Sequence, residues 1–191
     1  GSGNLSTTAM VGAAAGGARA IDGQISNNNT PGNWLIAGGY GTTILKQANP
    51  AYVGGMRVQN GTLIVQADGA LGAAGVDTAV DGNPLVQEFT GTGLAPVNPR
   101  IVFQAPGTST GFGYAVGDTS GTGTYKMITL QPRTTTGLNS AGNPELDNFG
   151  GNNTFGGAIR MAPPGATNDV ALGVTAGSLE LTGRIYDGYS G

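Results

Sequence analysis

The chain has 191 residues, a formal net charge of −3, 37 glycines, 10 prolines and no cysteine or histidine. This composition excludes a disulfide framework, a cysteine nucleophile, a Ser-His-Asp triad and cysteine- or histidine-based metal sites. The small negative charge argues against a nucleic-acid or anionic-membrane surface, and no apolar run approaches the roughly 18 residues of a membrane-spanning helix.

Short apolar clusters follow one another along the chain, each bounded by Gly, Asn, Asp, Pro or Thr. Few windows show the helical period of apolar residues, so each cluster is predicted to be one short β-strand. In chain order the clusters are Trp34-Leu35-Ile36, Thr43-Ile44-Leu45, Met56-Arg57-Val58, Thr62-Leu63-Ile64-Val65, Leu85-Val86, Arg100-Ile101-Val102-Phe103, 125–130, Ile159-Arg160-Met161 and Leu179-Glu180-Leu181. The sequence therefore predicts an all-β fold.

Two ten-residue segments, 49–58 and 152–161, align without a gap. Each begins with Asn, has an aromatic residue three positions later, passes a glycine region and ends in apolar-Arg-apolar. Since alternate strand residues point to opposite faces, the apolar residues are predicted to face the core and the arginines to face outward. The pairs are Tyr52 with Phe155, Met56 with Ile159, Arg57 with Arg160, and Val58 with Met161. The arginines are expected to be solvated or paired with Asp on a neighbouring strand.

Two further matches involve the end of the chain. Residues 61–65 align with 177–181, where glycine opens a strand whose alternate residues are aliphatic. Residues 17–25 align more weakly with 177–185, at an offset of 160 positions. If these positions are equivalent, the chain ends where a new copy begins. The sequence then predicts end-to-end self-association, as a filament or a tandem array.

The segment 41–65, with its continuation Gly69-Ala70-Leu71-Gly72, resembles the autotransporter-associated β-strand repeat. That family has G-T-x-x-L, then N-x-Y-x-G-G, a short alternating strand, G-T-L-x-V and A-L-G. Asn153-Thr154-Phe155 with Gly157 is similar to a second N-T-[YF] element, and residues 1–5 are a common phrase in such arrays. The match departs from the pattern at Pro50 and Ala51, and the segment 81–131 has no place in it.

The resemblance implies a right-handed parallel β-helix in a large secreted bacterial surface protein, without catalytic residues or cofactors. We expect one β-solenoid module over 1–191, repeat-like at 41–72 and 149–185, with an inserted irregular or β subdomain at 81–131; a β-sandwich is the alternative. Residues expected at corners or in strands of the repeat are Asn49, Tyr52, Gly54, Asn60, Gly61, Leu63, Val65, Asn152, Phe155, Gly157, Gly177, Leu179 and Leu181.

Carboxylate pairs are the main candidates for chemistry, because polysaccharide lyases and glycosidases need converging acids, often with calcium. Asp77 and Asp81 have the surroundings of turn residues. Glu145 and Asp147 would share one face of a strand, where Asn143 and Asn148 could complete an oxygen-rich site. A structural role is favoured for both pairs, and a catalytic or calcium site is the alternative.

Two other patterns favour structural roles. The run Gly117 to Gly123 has neither the Lys of a phosphate loop nor a following helix, so a hairpin or corner is expected. Aromatic side chains are expected to pack in the core or at corners, with sugar stacking as the alternative. They are Trp34, Tyr40, Tyr52, Phe112, Tyr114, Tyr125, Phe155, Tyr186 and Tyr189.

Two functions from different classes follow. The preferred interpretation is a structural or adhesive module of a bacterial extracellular surface protein, fibre or filament, with no reaction chemistry. The alternative is a carbohydrate-binding or carbohydrate-active β-helix, for which a cell-surface polysaccharide is the candidate partner. A groove of clustered carboxylates or a line of exposed aromatic side chains would favour the alternative.

Overall fold

The computed structural model describes residues 3–4, 9–27, 34–52, 55–58, 61–72, 85–87, 99–104, 128–131, 143–161 and 170–187. These ranges contain strands and connecting segments but no helix, which confirms the all-β class. The strands are β1 (Gly3–Asn4), β2 (Ala9–Ala13), β3 (Ala18–Ile21), β4 (Ile25–Ser26), β5 (Trp34–Gly39), β6 (Thr42–Leu45), β7 (Gly55–Val58), β8 (Thr62–Val65), β9 (Leu85–Gln87), β10 (Arg100–Gln104), β11 (Ile128–Gln131), β12 (Leu146–Gly150), β13 (Asn152–Phe155), β14 (Ile159–Met161), β15 (Leu172–Val174), β16 (Ser178–Leu181) and β17 (Ile185–Asp187).

The described strands form two large sheets and two small ones. The larger has the strand order β17-β14-β11-β9-β7-β5-β2, and the next has the order β15-β12-β10-β8-β6-β3. The pairs β1–β4 and β13–β16 are separate two-stranded sheets. From β5 to β12 the chain visits the two large sheets alternately. Every pair between described strands is parallel, which excludes an antiparallel sandwich for this part of the chain.

Inward side chains of successive strands stack in rows. Val65 of β8 lies in register with Phe103 of β10, and both are fully buried. These rows belong to one hydrophobic cluster that draws side chains from both large sheets. Leu63 and Val65 are buried in this cluster, and Leu179 and Leu181 pack against it, as the alternation predicted. Each fully buried aliphatic side chain contributes roughly 1.5–3 kcal/mol to folding.

The ten-residue alignment marks equivalent positions in the structure. Its two apolar-Arg-apolar segments form β7 and β14, which lie in the same seven-stranded sheet. Arg57 and Arg160 occupy one register row, linked through Leu85 and Thr129 on the strands between them. The sequence repeat therefore reflects a structural repeat within this sheet.

The other two matches do not mark equivalent positions. The strand of 61–65 is β8 in the six-stranded sheet, whereas the strand of 177–181 is β16, which pairs with β13. The segment 17–25 forms β3 and β4, whereas 177–185 contains β16 and the start of β17, again in different sheets. What these segments share is local: Gly61 and Gly177 have φ of 74° and 75° before an alternating strand. The offset of 160 positions therefore gives no support to a second copy.

Gly61 shows why glycine opens a strand in this fold. Its φ is 74°, in the left-handed region that L side chains rarely adopt. A Cβ at this position would overlap the backbone oxygen of Gly41 on the adjacent strand connection. Thr62 N–H donates to that same oxygen over 3.0 Å, and Arg100 N–H donates to Gly61 O over 3.1 Å. The close backbone stacking therefore requires glycine.

The segment 81–131 contributes strands to both large sheets. Within it, β9 and β11 belong to the seven-stranded sheet and β10 to the six-stranded sheet. The rest of the segment lies outside the described residues, so the expected insertion stays a prediction there.

Candidate functional site

Glu145 and Asp147 flank the core residue Leu146 at the start of β12, on the same side of the strand, as their spacing predicted. Both are buried, with 3% and 2% of their surface exposed. Sequence reasoning missed this burial. Ala171 N–H donates to Glu145 Oε2 over 2.9 Å, which joins this carboxylate to the segment leading into β15.

Asp147 is the more completely hydrogen-bonded carboxylate. Its Oδ1 accepts the N–H of Asn148 at 2.7 Å and that of Thr175 at 3.1 Å, and its Oδ2 accepts the Thr175 hydroxyl at 2.8 Å. Hydrogen bonds from backbone N–H groups satisfy a buried carboxylate without a metal. The described residues hold no group of three or more acidic, His or Cys side chains suited to a metal ion. Through these hydrogen bonds, Glu145 and Asp147 connect β12 to the chain around β15.

Asn148 and Asn153 build the turn that follows β12. Asn148 Nδ2 donates to Ala176 O and Gly151 O, and Asn153 Nδ2 donates to Asn148 Oδ1 and Gly150 O. The amide of Asn148 is thereby used in the turn and does not complete an oxygen-rich site with the carboxylates. Asn153 Oδ1 is buried without a hydrogen-bond partner in the described part of the chain.

Arginine side chains stack on aromatic rings. The Arg57 guanidinium lies 4.6 Å from the Trp34 ring centroid, and that of Arg184 lies 5.2 Å from Tyr186. Arg57 Nε is buried and lacks a hydrogen-bond partner among the described residues. Arg57 is half-buried, and the neighbouring strand supplies an aromatic face to its guanidinium, a contact that the sequence did not predict. Arg160 is half-buried.

Arg100 lies on the outer side of the six-stranded sheet. Its guanidinium is 4.7 Å from the Phe149 ring centroid, and its Nε donates to Thr62 Oγ1 over 3.1 Å. Burial lowers the pKa of Arg100, and the charge of Asp147 opposes part of that shift. Arg100 and Asp147 both lie on the packed outer side of β10 and β12, where their charges attract.

Asn49 and Tyr52, predicted at a corner of the repeat, connect separate parts of the fold. Asn49 Oδ1 accepts the N–H of Ile25 at 2.7 Å, and its Nδ2 donates to Ala70 O at 2.6 Å. The Tyr52 hydroxyl accepts the N–H of Leu35 at 2.9 Å. Burial raises the pKa of Tyr52 to about 12, against a smaller lowering by that hydrogen bond.

The remaining predicted residues divide into described and undescribed positions. Phe155 is fully buried and stacks on Phe103 with centroids 5.6 Å apart, so the packing role predicted for it holds. Asn152 is exposed, unlike its aligned partner Asn49, and Gly157 is buried. Outside the described residues lie Gly54, Asn60, Asp77, Asp81, Phe112, Tyr114, Gly117 to Gly123, Tyr125 and Tyr189.

A pocket of about 450 Å³ lies where the two large sheets begin. Its apolar lining comes from core-facing residues such as Ala9, Val11, Ile21 and Leu35, and its polar lining includes Arg19. Asp22 at the same pocket pairs with Lys46 at 2.9 Å. At the opposite end of the sheets, large aliphatic side chains are exposed on β15 and β17: Leu172 (39%), Val174 (52%) and Ile185 (43%).

A scan against family models, a search of curated proteins and a search of solved structures each find no match to this chain. The described residues contain no helix long and apolar enough to cross a membrane. The geometry of the chain itself therefore supplies the grounds for a function.

Proposed function

We propose that this chain is a right-handed parallel β-helix that serves as a structural or adhesive module of a bacterial extracellular surface protein. The observation that carries the proposal is the uninterrupted parallel pairing through seven strands of one sheet and six of another. In a β-helix each coil adds one strand to each sheet, about 4.8 Å from the strand before. The alternation of the chain between the two sheets from β5 to β12 is the order that such coils produce.

The small sheets support a third face of the coil. Along the chain, β4, β13 and β16 each follow a strand of the six-stranded sheet and precede a strand of the seven-stranded sheet. Strand β1 precedes β2 of the seven-stranded sheet. Right-handed coiling is the expected hand, because parallel strands joined by a crossover are right-handed in about 98% of cases. The resemblance of 41–72 to the autotransporter-associated repeat supports the same fold and an extracellular location.

A non-catalytic role is supported by how the acids are used. Glu145 and Asp147 bind backbone N–H groups of the chain around β15, so their lone pairs serve the packing of one coil on the next. A general acid or nucleophile needs a carboxylate within reach of a substrate.

The test compares the chain with a Glu145→Gln/Asp147→Asn double variant on a panel of bacterial and plant polysaccharides. We expect no depolymerisation by either protein, and faster amide exchange at Ala171 and Thr175 in the variant. Depolymerisation that the double variant loses would overturn the non-catalytic role. An experimental structure in which each successive coil contributes one strand to both large sheets would support the fold. A structure in which the coils do not do so would overturn it.

Carbohydrate binding without catalysis is the second candidate, favoured by one observation. Trp34 and Tyr186 lie on the outer side of the seven-stranded sheet, since their neighbours Leu35 and Ile185 lie in core rows. Each ring also has an arginine against it. Glycan-array binding by the wild type that a Trp34→Ala variant loses would establish it, and an array without binding would remove it.

A further inference from the structure

Two arginines on the outer side of the seven-stranded sheet contact aromatic rings instead of acids. Arg57 of β7 and Tyr186 of β17 belong to one outward row of this sheet. Arg184 precedes Tyr186 by two positions, so strand alternation places it on the same side. Among the described residues, the side chains of Arg57 and Arg184 form no hydrogen bond or ion pair. Their printed contacts are with the rings of Trp34 and Tyr186.

Other basic side chains of the described chain have an acid beside them. Lys46 pairs with Asp22 at 2.9 Å, and the charge of Asp147 acts on Arg100. By contrast, the described outward rows of the seven-stranded sheet contain no Asp or Glu. An anion that approaches this side of the sheet therefore meets the charge of Arg57 and Arg184 without repulsion from an acid of the same rows.

The ring contacts leave the guanidinium groups able to bind an anion. Arg57 lies 4.6 Å from the Trp34 centroid and Arg184 lies 5.2 Å from the Tyr186 centroid. A stacked guanidinium uses its flat face on the ring, and its N–H groups still point outward in its own plane. Two of these N–H groups fit the two oxygens of one carboxylate. Arg57 is half-buried and Arg184 is exposed, so each arginine can form such a contact.

The two arginine–aromatic pairs are separate contact points. From β7 to β17 the sheet takes four strand steps, which place the pairs roughly 19 Å apart at about 4.8 Å a step. Thr129, in the outward row between them, is only 7% exposed. A small anion would reach one pair alone. A long polymer with repeated carboxylates reaches both pairs at once, and the second contact then forms at a high effective concentration.

We propose that the outer side of the seven-stranded sheet binds an acidic polysaccharide, with carboxylates of its uronic acid units on Arg57 and Arg184. The rings of Trp34 and Tyr186 give the apolar surface on which sugar rings pack beside the bound carboxylates. The wide spacing of the two cations and the net charge of −3 disfavour a nucleic acid, whose phosphates are dense. The inference rests on the adhesive form of the proposed function and names its class of ligand.

Trp34 is the only tryptophan of the chain, so its fluorescence reports on one of the two contact points directly. The probe is polygalacturonate, and the matched control polymer is the same chain with methyl-esterified carboxyl groups. Polygalacturonate should change the Trp34 emission in a saturable manner, and the esterified polymer should not. Added salt should weaken the binding, because both cations are at least partly open to solvent. Calorimetry run in parallel detects binding that leaves the fluorescence unchanged.

Charge-neutral variants test the two arginines. Arg57→Gln/Arg184→Gln should weaken binding of polygalacturonate by roughly tenfold or more, since both contact points are lost. The matched control is Arg19→Gln/Lys46→Gln, which changes the net charge equally at two exposed positions of the six-stranded sheet and the segment after it. It should bind as the wild type does. The single variant Arg184→Gln changes an exposed side chain, so it should fold and bind roughly threefold more weakly.

Four results would overturn the acidic polysaccharide as ligand. They are no binding by either method, equal binding of the esterified polymer, equal weakening by the control pair, and binding of single-stranded DNA as tightly as polygalacturonate. Calorimetric binding without a change at Trp34 would overturn the location. In each case a β-helical chain without depolymerising activity leaves the proposed structural function standing. An experimental structure without continuous coils would instead remove the proposed function, whatever the binding result.

Discussion

The hydroxyl of Tyr52 satisfies a backbone donor at a position that water does not reach. Leu35 N–H donates to it over 2.9 Å, and Tyr52 is fully buried. Removing one partner of a buried hydrogen bond costs about 1–3 kcal/mol, because the other partner stays unsatisfied. We expect Tyr52→Phe to lower the free energy of unfolding by that amount in urea titrations at pH 7. A Tyr40→Phe variant, altered at a half-buried position, gives the general cost of losing a tyrosine hydroxyl.

The raised pKa of Tyr52 makes stability depend on alkaline pH. The raised pKa means that the folded chain holds the Tyr52 proton to about pH 12, whereas the unfolded chain loses it near the usual tyrosine pKa of 10.0. The stabilisation by neutral Tyr52 is therefore complete below pH 10 and is lost as the pH rises towards 12, by roughly 2–3 kcal/mol in total. Urea titrations between pH 8 and 11 should show this loss in the wild type and a smaller one in Tyr52→Phe. Equal slopes in the two proteins would contradict the assignment.

Substitutions in β8 test whether Leu63 belongs to a row of side chains that faces the core. It is buried in the core, and Thr62, one position before it, faces the other way and accepts a hydrogen bond from Arg100 Nε. An unpaired carboxylate in the core costs several kcal/mol, so Leu63→Asp should give insoluble or unfolded protein. Thr62→Asp puts the same charge beside Arg100 and should fold. The soluble yield and circular dichroism of the two variants check this, and a soluble, folded Leu63→Asp would show that the row is not a core row.

At the scale of the strand, glycine is required for two reasons: its backbone can adopt a positive φ, and it has no Cβ to overlap a neighbouring strand. Gly16 and Gly61 have nearly equal φ of 73° and 74°, but a Cβ on Gly16 would meet nothing within 4 Å, whereas one on Gly61 would overlap Gly41 O. Gly16→Ala should therefore cost only the left-handed strain of about 1–2 kcal/mol. Gly61→Ala should cost more, because β6 and β8 must also separate. Chemical denaturation measures the difference, and equal losses would mean that the space around Gly61 is not limiting.

Strand alternation and the ten-residue repeat were enough to predict the class, the core rows and the equivalence of β7 and β14. These features depend on residues close in sequence. Glu145 and Asp147 are buried against hydrogen-bond donors near β15, which lie 26 and 28 residues further along the chain. The ring under Arg57 likewise comes from β5, on the neighbouring strand. Such partners follow from the stacking register, which local patterns do not specify.

The same limit explains the misleading match at the end of the chain. A left-handed glycine followed by an alternating strand recurs at Gly61 and Gly177 because each turn into a strand needs it, whichever sheet the strand joins. Local similarity in a glycine-rich chain therefore identifies turns, and only the pairing shows which turns are equivalent.

Removing the last strands of the seven-stranded sheet and of the small β13–β16 sheet tests how much this end of the chain adds to the stability of the whole molecule. Deleting residues 177–191 takes away β16 and β17, so that sheet ends at β14 while the six-stranded sheet still ends at β15. Phe155 and Ile159, both buried in the full chain, also become exposed.

The truncated chain should therefore unfold at a lower urea concentration than the full chain, while its far-ultraviolet circular dichroism stays close to that of the full chain, since most parallel pairs remain. Deleting only residues 188–191 is the matched control, because it keeps β17, and its urea midpoint should equal that of the full chain. Each strand pairs only with the strands beside it in its sheet, so the effect on stability should be confined to the end from which strands were removed. An unchanged urea midpoint in the chain lacking 177–191 would show that β16 and β17 add nothing to the stability of the folded chain.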